Sequence, residues 1–200
     1  MPATNDQTVP AESIIKRLLR EHRRWRSKDF PLIAHLFDEV QSTEGQPPCL
    51  APLRTAFHRL CAEMEGHMTR EEYVLFPAIL EAQTKAEAAE NRFGSIRNPI
   101  GMMEQEHDWE SERLETMRQL ARDYRLPDTA DEKVRLLFRE LEALEAAMHA
   151  HTRLESSILF ARAIAAEKHA PTRPLKNDYL RAENSVGSSQ TLSTWNTGSR

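Results

Sequence analysis

The sequence predicts an all-α protein, an antiparallel up-down-up-down four-helix bundle, and three observations predict it. Charged residues make up 29% of the 200 and aromatics 6%, a balance that suits long amphipathic helices better than a β fold. Four long segments repeat apolar residues at spacings of three and four, the period of a single helical face. Stretches rich in Pro, Gly and polar residues, such as Glu44–Pro52, separate them.

The first helix is expected from about Pro10 to about Gln41. Its seam is Ile15, Leu18, His22 and Trp25, then Asp29 and Leu32, with a looser phase past Pro31. The second runs from near Pro52 to about Gln83, with Leu53, Phe57, Leu60, Met64, His67, Glu71, Val74 and Ala78 on its seam. The third opens at Asn98-Pro99, a capping residue followed by proline at the first helical position. Its seam is Ile100, Met103, His107, Glu110, Leu114 and Met117, and it fades near Tyr124. The fourth opens on Thr129-Ala-Asp-Glu132, which matches a capping box, and reaches about Lys168. Its seam is Val134, Leu137, Leu141, Leu144, Met148, His151, Glu155 and Ile158. Pro31 and Pro77 each remove one helical hydrogen bond, so bends are expected there.

The bundle domain is thus read as residues 10–169, after an extension at 1–9 and before a tail at 170–200. That tail is rich in Ser, Thr, Asn and Gly and has too little apolar surface to offset ordering entropy, so disorder is expected.

The formal net charge of -4 offers no attraction to nucleic acid or an anionic membrane, and neither is expected as a partner. No apolar stretch approaches the ~20 residues that span a bilayer. The opening MPATNDQTVP lacks the basic start and apolar run of a secretion signal. Cys49 and Cys61 form neither a C-x-x-C pair nor a disulfide framework, so a reducing cytoplasm is the expected compartment.

The seams carry the chemistry. Each holds one histidine near its middle, and His67 and His151 are each followed four residues later by a carboxylate, Glu71 and Glu155, on the same face. An ionised glutamate in an apolar interior costs several kcal/mol, on the order given for buried charges, unless something compensates it. Two glutamates with four histidines in one layer call for cations, and bundle cores are built to hold metals this way. The heights agree: the legs joining His22 to His67 differ by only ~5 Å at 1.5 Å rise per residue. Imidazole plus carboxylate without thiolate suits iron, manganese or zinc. The six candidate metal ligands are therefore His22, His67, Glu71, His107, His151 and Glu155, enough for two ions if the carboxylates bridge. One closed tetrahedral zinc site would not use six.

Glu110 is a further candidate, one turn beyond His107 on the seam; a carboxylate at the bundle edge or behind the ligands is the favoured reading. His58 and His149 lie off the seam and read as surface residues. His35 lies beside the seam beyond Pro31. The basic run Arg17–Lys28 reads as a solvated face.

HMTREEYVLFP (67–77) and HTRLESSILF (151–160) resemble the two H-x-x-x-E helices of the hemerythrin, or HHE cation-binding, family. REHRRW around His22 resembles that family's first helix and EQEHDW around His107 its third, so the resemblance covers roughly residues 10–168. It implies a non-haem centre of two iron ions, oxo- or hydroxo-bridged, binding oxygen or nitric oxide. Nearest are bacterial di-iron proteins of nitrosative stress and iron–sulfur cluster repair, for which a separate redox partner protein could supply electrons. An iron or oxygen sensor is a further alternative. Two departures stand out: Ser111 occupies the place of a second third-helix histidine, and the stretch QSTEG from Gln41 lacks the late first-helix histidine of cluster-repair proteins.

Overall fold

The computed structural model describes residues 9–41, 47–84 and 95–169; most of the extension at 1–9 and the tail at 170–200 lie outside them. The described residues fold into four helical rods. The first is α1 (Ala11–Arg24) and α2 (Phe30–Gln41), the second α3 (Leu50–Arg70) and α4 (Phe76–Thr84). The third is α5 alone (Arg97–Leu120), and the fourth is α6 (Glu132–Leu154) with α7 (Ala161–His169). Within the bundle α3 packs on α5, α2 on α6 and α3, and α4 on α7 and α1.

Three helix starts differ from expectation. The second rod begins at Leu50, two residues before Pro52. The third rod begins at Arg97, with Ile96 in the capping position and no side-chain cap, rather than at Pro99. The fourth begins at Glu132, capped by Asp131, whose carboxylate accepts from the Lys133 N–H at 2.8 Å. Aspartate caps at least as well as threonine and stands one residue before the helix, so it displaces the capping box expected from Thr129.

Three rods are interrupted by π-helical turns, at Trp25–Asp29, Glu71–Leu75 and Glu155–Phe160. A π turn takes up one residue more than an α turn, so the buried face beyond it slips by one position. The predicted seam residues Leu32, Val74, Ala78 and Ile158 accordingly give way to Ile33, Leu75, Ile79 and Leu159. Two of the wide turns end just before Phe30-Pro31 and Phe76-Pro77. A proline ring clashes with the carbonyl four residues back, here that of Ser27 or Tyr73, and both lie inside the widened turns. The prolines are thus accommodated by wide turns immediately upstream of them.

The core is in two parts. One centres on Phe37, Phe57, Leu60, Leu137 and Met148. The other is built from Ile15, Leu18, Phe76, Ile100 and Phe160. Between them lies a layer of buried polar side chains: His22, His67, Glu71, His107, His151 and Glu155. No helix among the described residues is long and apolar enough to cross a membrane.

Candidate metal centre

The six residues of that layer come together as two overlapping groups. His22, Glu71, His151 and Glu155 form one, and His67, Glu71, His107 and Glu155 the other. In each group the ligand-type atoms lie within 4.8 Å of one another. Both glutamates belong to both groups. Glu71 reaches His22 Nε2 at 3.3 Å and His67 Nε2 at 3.4 Å, while Glu155 reaches His107 and His151 Nε2 at 3.2 Å each.

The histidines are oriented from behind. His22 Nδ1 donates to Glu72 at 2.9 Å, His67 Nδ1 to Glu106 at 2.9 Å, and His151 Nδ1 to Glu21 at 2.8 Å. His107 Nδ1 meets the Ser156 hydroxyl at 3.2 Å. These contacts run around the bundle as a closed ring, each rod supporting the histidine of a neighbour. Three arginines complete the arrangement, Arg17 on Glu21 at 3.0 Å, Arg26 on Glu72 at 2.6 Å and Arg70 on Glu106 at 2.7 Å. Partial burial pushes each carboxyl upward, but its histidine and arginine partners outweigh that and hold all three below the usual carboxylate range. An ionised carboxylate only accepts, so Nδ1 of His22, His67 and His151 keeps its hydrogen and Nε2 is the atom each turns to the interior.

That interior fits a cation. The Nε2 atoms of His67 and His107 and all four oxygens of Glu71 and Glu155 are buried without a hydrogen-bond partner. Burial pushes the Glu71 carboxyl well up, and the facing Glu155 adds to it, because two carboxylates this close cannot both ionise uncompensated. Burial alone would lower His151, but Glu155 and Glu21 push it up to about 10. Without metal, a proton on His151 thus supplies part of the positive charge that the layer requires. Aromatic rings flank both halves: Trp25 lies 4.8 Å from the His151 ring, Phe76 stacks on His22 at 6.0 Å, and Phe160 stacks on His107 at 5.8 Å.

Glu110 lies outside both groups. Its side chain is buried, which pushes its carboxyl up, and it accepts from the Thr152 hydroxyl at 3.3 Å. His35 is exposed beside Glu39, His58 is exposed, and His149 is half-buried near Glu145, none of them in the layer. Sequence reasoning missed the supporting ring. Its signal was adjacency, since Glu21, Glu72, Glu106 and Ser156 each sit next to a member of the layer in sequence while bonding to a histidine on another rod.

Comparison with known proteins agrees with this geometry. The model of the hemerythrin HHE cation binding domain matches residues 13–163. The iron-sulfur cluster repair protein YtfE of Yersinia pseudotuberculosis serotype IB (strain PB1/+) is 26% identical over 163 residues, covering 80% of this chain and 69% of that protein. YtfE of Yersinia pestis (strain Pestoides F) matches with the same identity and coverage.

Proposed function

Since the chain belongs to the hemerythrin HHE cation-binding family, we propose that its layer of histidines and glutamates holds two iron ions. His22 and His151 would hold one and His67 and His107 the other, with Glu71 and Glu155 available to both. The observation that carries this is the sharing of both glutamates between two otherwise separate histidine pairs. Bound iron would supply redox electrons and a site for a diatomic molecule, oxygen or nitric oxide. The residues of the chain do the rest. Glu21, Glu72 and Glu106 fix the tautomers, Trp25 and Phe76 exclude water from one side, and Thr152 holds Glu110 at the other.

The test is anaerobic metal analysis with optical spectra before and after addition of oxygen and of nitric oxide. Close to two irons per chain, with a spectral response to either gas, is expected. Iron well below that, or spectra unmoved by both gases, would overturn the reading.

A second reading, repair of iron–sulfur clusters under nitrosative or oxidative stress, is favoured by the relatives that carry that name. It predicts that the iron-loaded chain restores a damaged cluster in a target enzyme, and a chain that gives up no iron to such a target would rule it out.

A further inference from the structure

The layer has an internal two-fold pattern. Glu21-His22 on the first rod corresponds to Glu106-His107 on the third, and His67 to Glu72 on the second corresponds to His151 to Ser156 on the fourth. The correspondence exchanges the two histidine pairs and keeps the shared glutamates. In the supporting ring it fails at one position, where Ser156 stands opposite Glu72.

That break falls beside two clefts that reach the layer. A cleft of about 460 Å³ is lined by Met64, His67, Glu106, Trp109 and Glu110 among others, and a second of about 400 Å³ by His107, Glu110, His149 and Ser156. Neither is lined by His22 or His151, which are 0% and 2% exposed against 4% and 6% for His67 and His107.

We propose that the His67–His107 half of the centre is the exchangeable half, and that Ser156, the one neutral member of the ring, sets the difference. This rests on the two-ion reading above. A carboxylate behind an imidazole raises its basicity and fixes its direction, whereas a hydroxyl does so weakly. Changes in such outer partners alter metal affinity by about 10–100-fold. With the bridging glutamates common to both ions, the supporting groups, the clefts, and Trp25 in one half where Glu110 stands in the other are what distinguish them. His22 and His151 both have an ionised carboxylate behind them; of the other pair only His67 does.

The full chain, loaded anaerobically with iron(II), is mixed with excess ferrozine and the coloured complex followed in time. Wild type is expected to release its iron in two phases of roughly equal size. Ser156→Glu, which restores the two-fold, slows the fast phase about tenfold and brings the phases together. Glu72→Ser, which breaks the opposite position in the same way, accelerates the slow phase. Circular dichroism verifies folding, and if Ser156→Glu does not fold, Glu72→Ser decides alone. Two irons leaving wild type at a single rate, or a slow phase indifferent to Glu72→Ser, would overturn the assignment. So would an unchanged fast phase in a folded Ser156→Glu. Loading well below two irons fails the two-ion reading itself and is recognised before release is measured.

Discussion

His22 and His151 point their Nε2 atoms at each other across 3.3 Å while their Nδ1 atoms are turned away to Glu72 and Glu21. Two imidazoles oriented in this way repel through their lone pairs unless a proton or a metal lies between them. The pairing is therefore itself a measure of how strongly the bundle is arranged for a cation.

The first prediction follows directly. His151→Ala or His67→Ala should lower iron from near two per chain, whereas His58→Ala and His149→Ala should leave it intact, since both lie outside the layer. Metal analysis of the four variants decides, and metal loss in His149→Ala with retention in His151→Ala would reverse the assignment on the fourth rod.

Glu110 is reached by both clefts, yet it is not among the atoms gathered around the layer. Glu110→Gln should keep both irons while changing the rate of reaction with oxygen or nitric oxide, because the amide carries no charge at the mouth of the site. Stopped-flow rates equal to wild type would remove Glu110 from any role there.

The wide turns can be tested through stability. Leu75 is 1% exposed and Val74 37%, the reverse of what an unbroken seam predicts. Leu75→Ala should cost about 2–5 kcal/mol in urea unfolding and Val74→Ala within about 0.5 kcal/mol. Equal losses would mean that the register does not slip at Glu71–Leu75.

These cases mark where the sequence was legible. From Leu53 to Glu71 and from Val134 to Glu155 each predicted seam residue is buried, because an unbroken α period needs only apolar spacing to be read. Beyond Glu71, Glu155 and Trp25 the period changes, and the apolar pattern alone does not announce a residue taken up by a wider turn. The Phe-Pro pairs at 30–31 and 76–77 were a partial clue, read as bends. Glu145 was missed for another reason. It flanks Leu144 off the seam, and its burial depends on Arg118 at 2.8 Å and the Tyr124 hydroxyl at 2.7 Å, partners on a different rod and in the turn after it.

Tyr124 ends a run of three left-handed residues, Arg122, Asp123 and Tyr124, with φ of 53°, 54° and 57°, a conformation that costs roughly 1–2 kcal/mol per residue. Burial, and then the Glu145 carboxylate, push its phenol well above the usual range. The folded chain therefore retains a proton that the unfolded chain loses near pH ~10, so this contribution is complete below that pH and is lost as pH rises further. Tyr124→Phe should cost about 1 kcal/mol at neutral pH and flatten the alkaline fall in stability. A variant with the same alkaline slope as wild type would show that Tyr124 ionises freely.

The polar layer between the two cores has a mechanical consequence. Neither apolar cluster continues into the other, so without a cation the two ends of the bundle are coupled only by the helical rods that run through the layer and by its hydrogen bonds and ion pairs. Such ends can open separately, as local cooperative units in amide exchange do. A metal bound to all four rods fuses them into one unit. Loading should then protect amides far from the ligands, at Ile15 and Ile100 on one side and Leu60 and Leu137 on the other, and make their exchange rise and fall together.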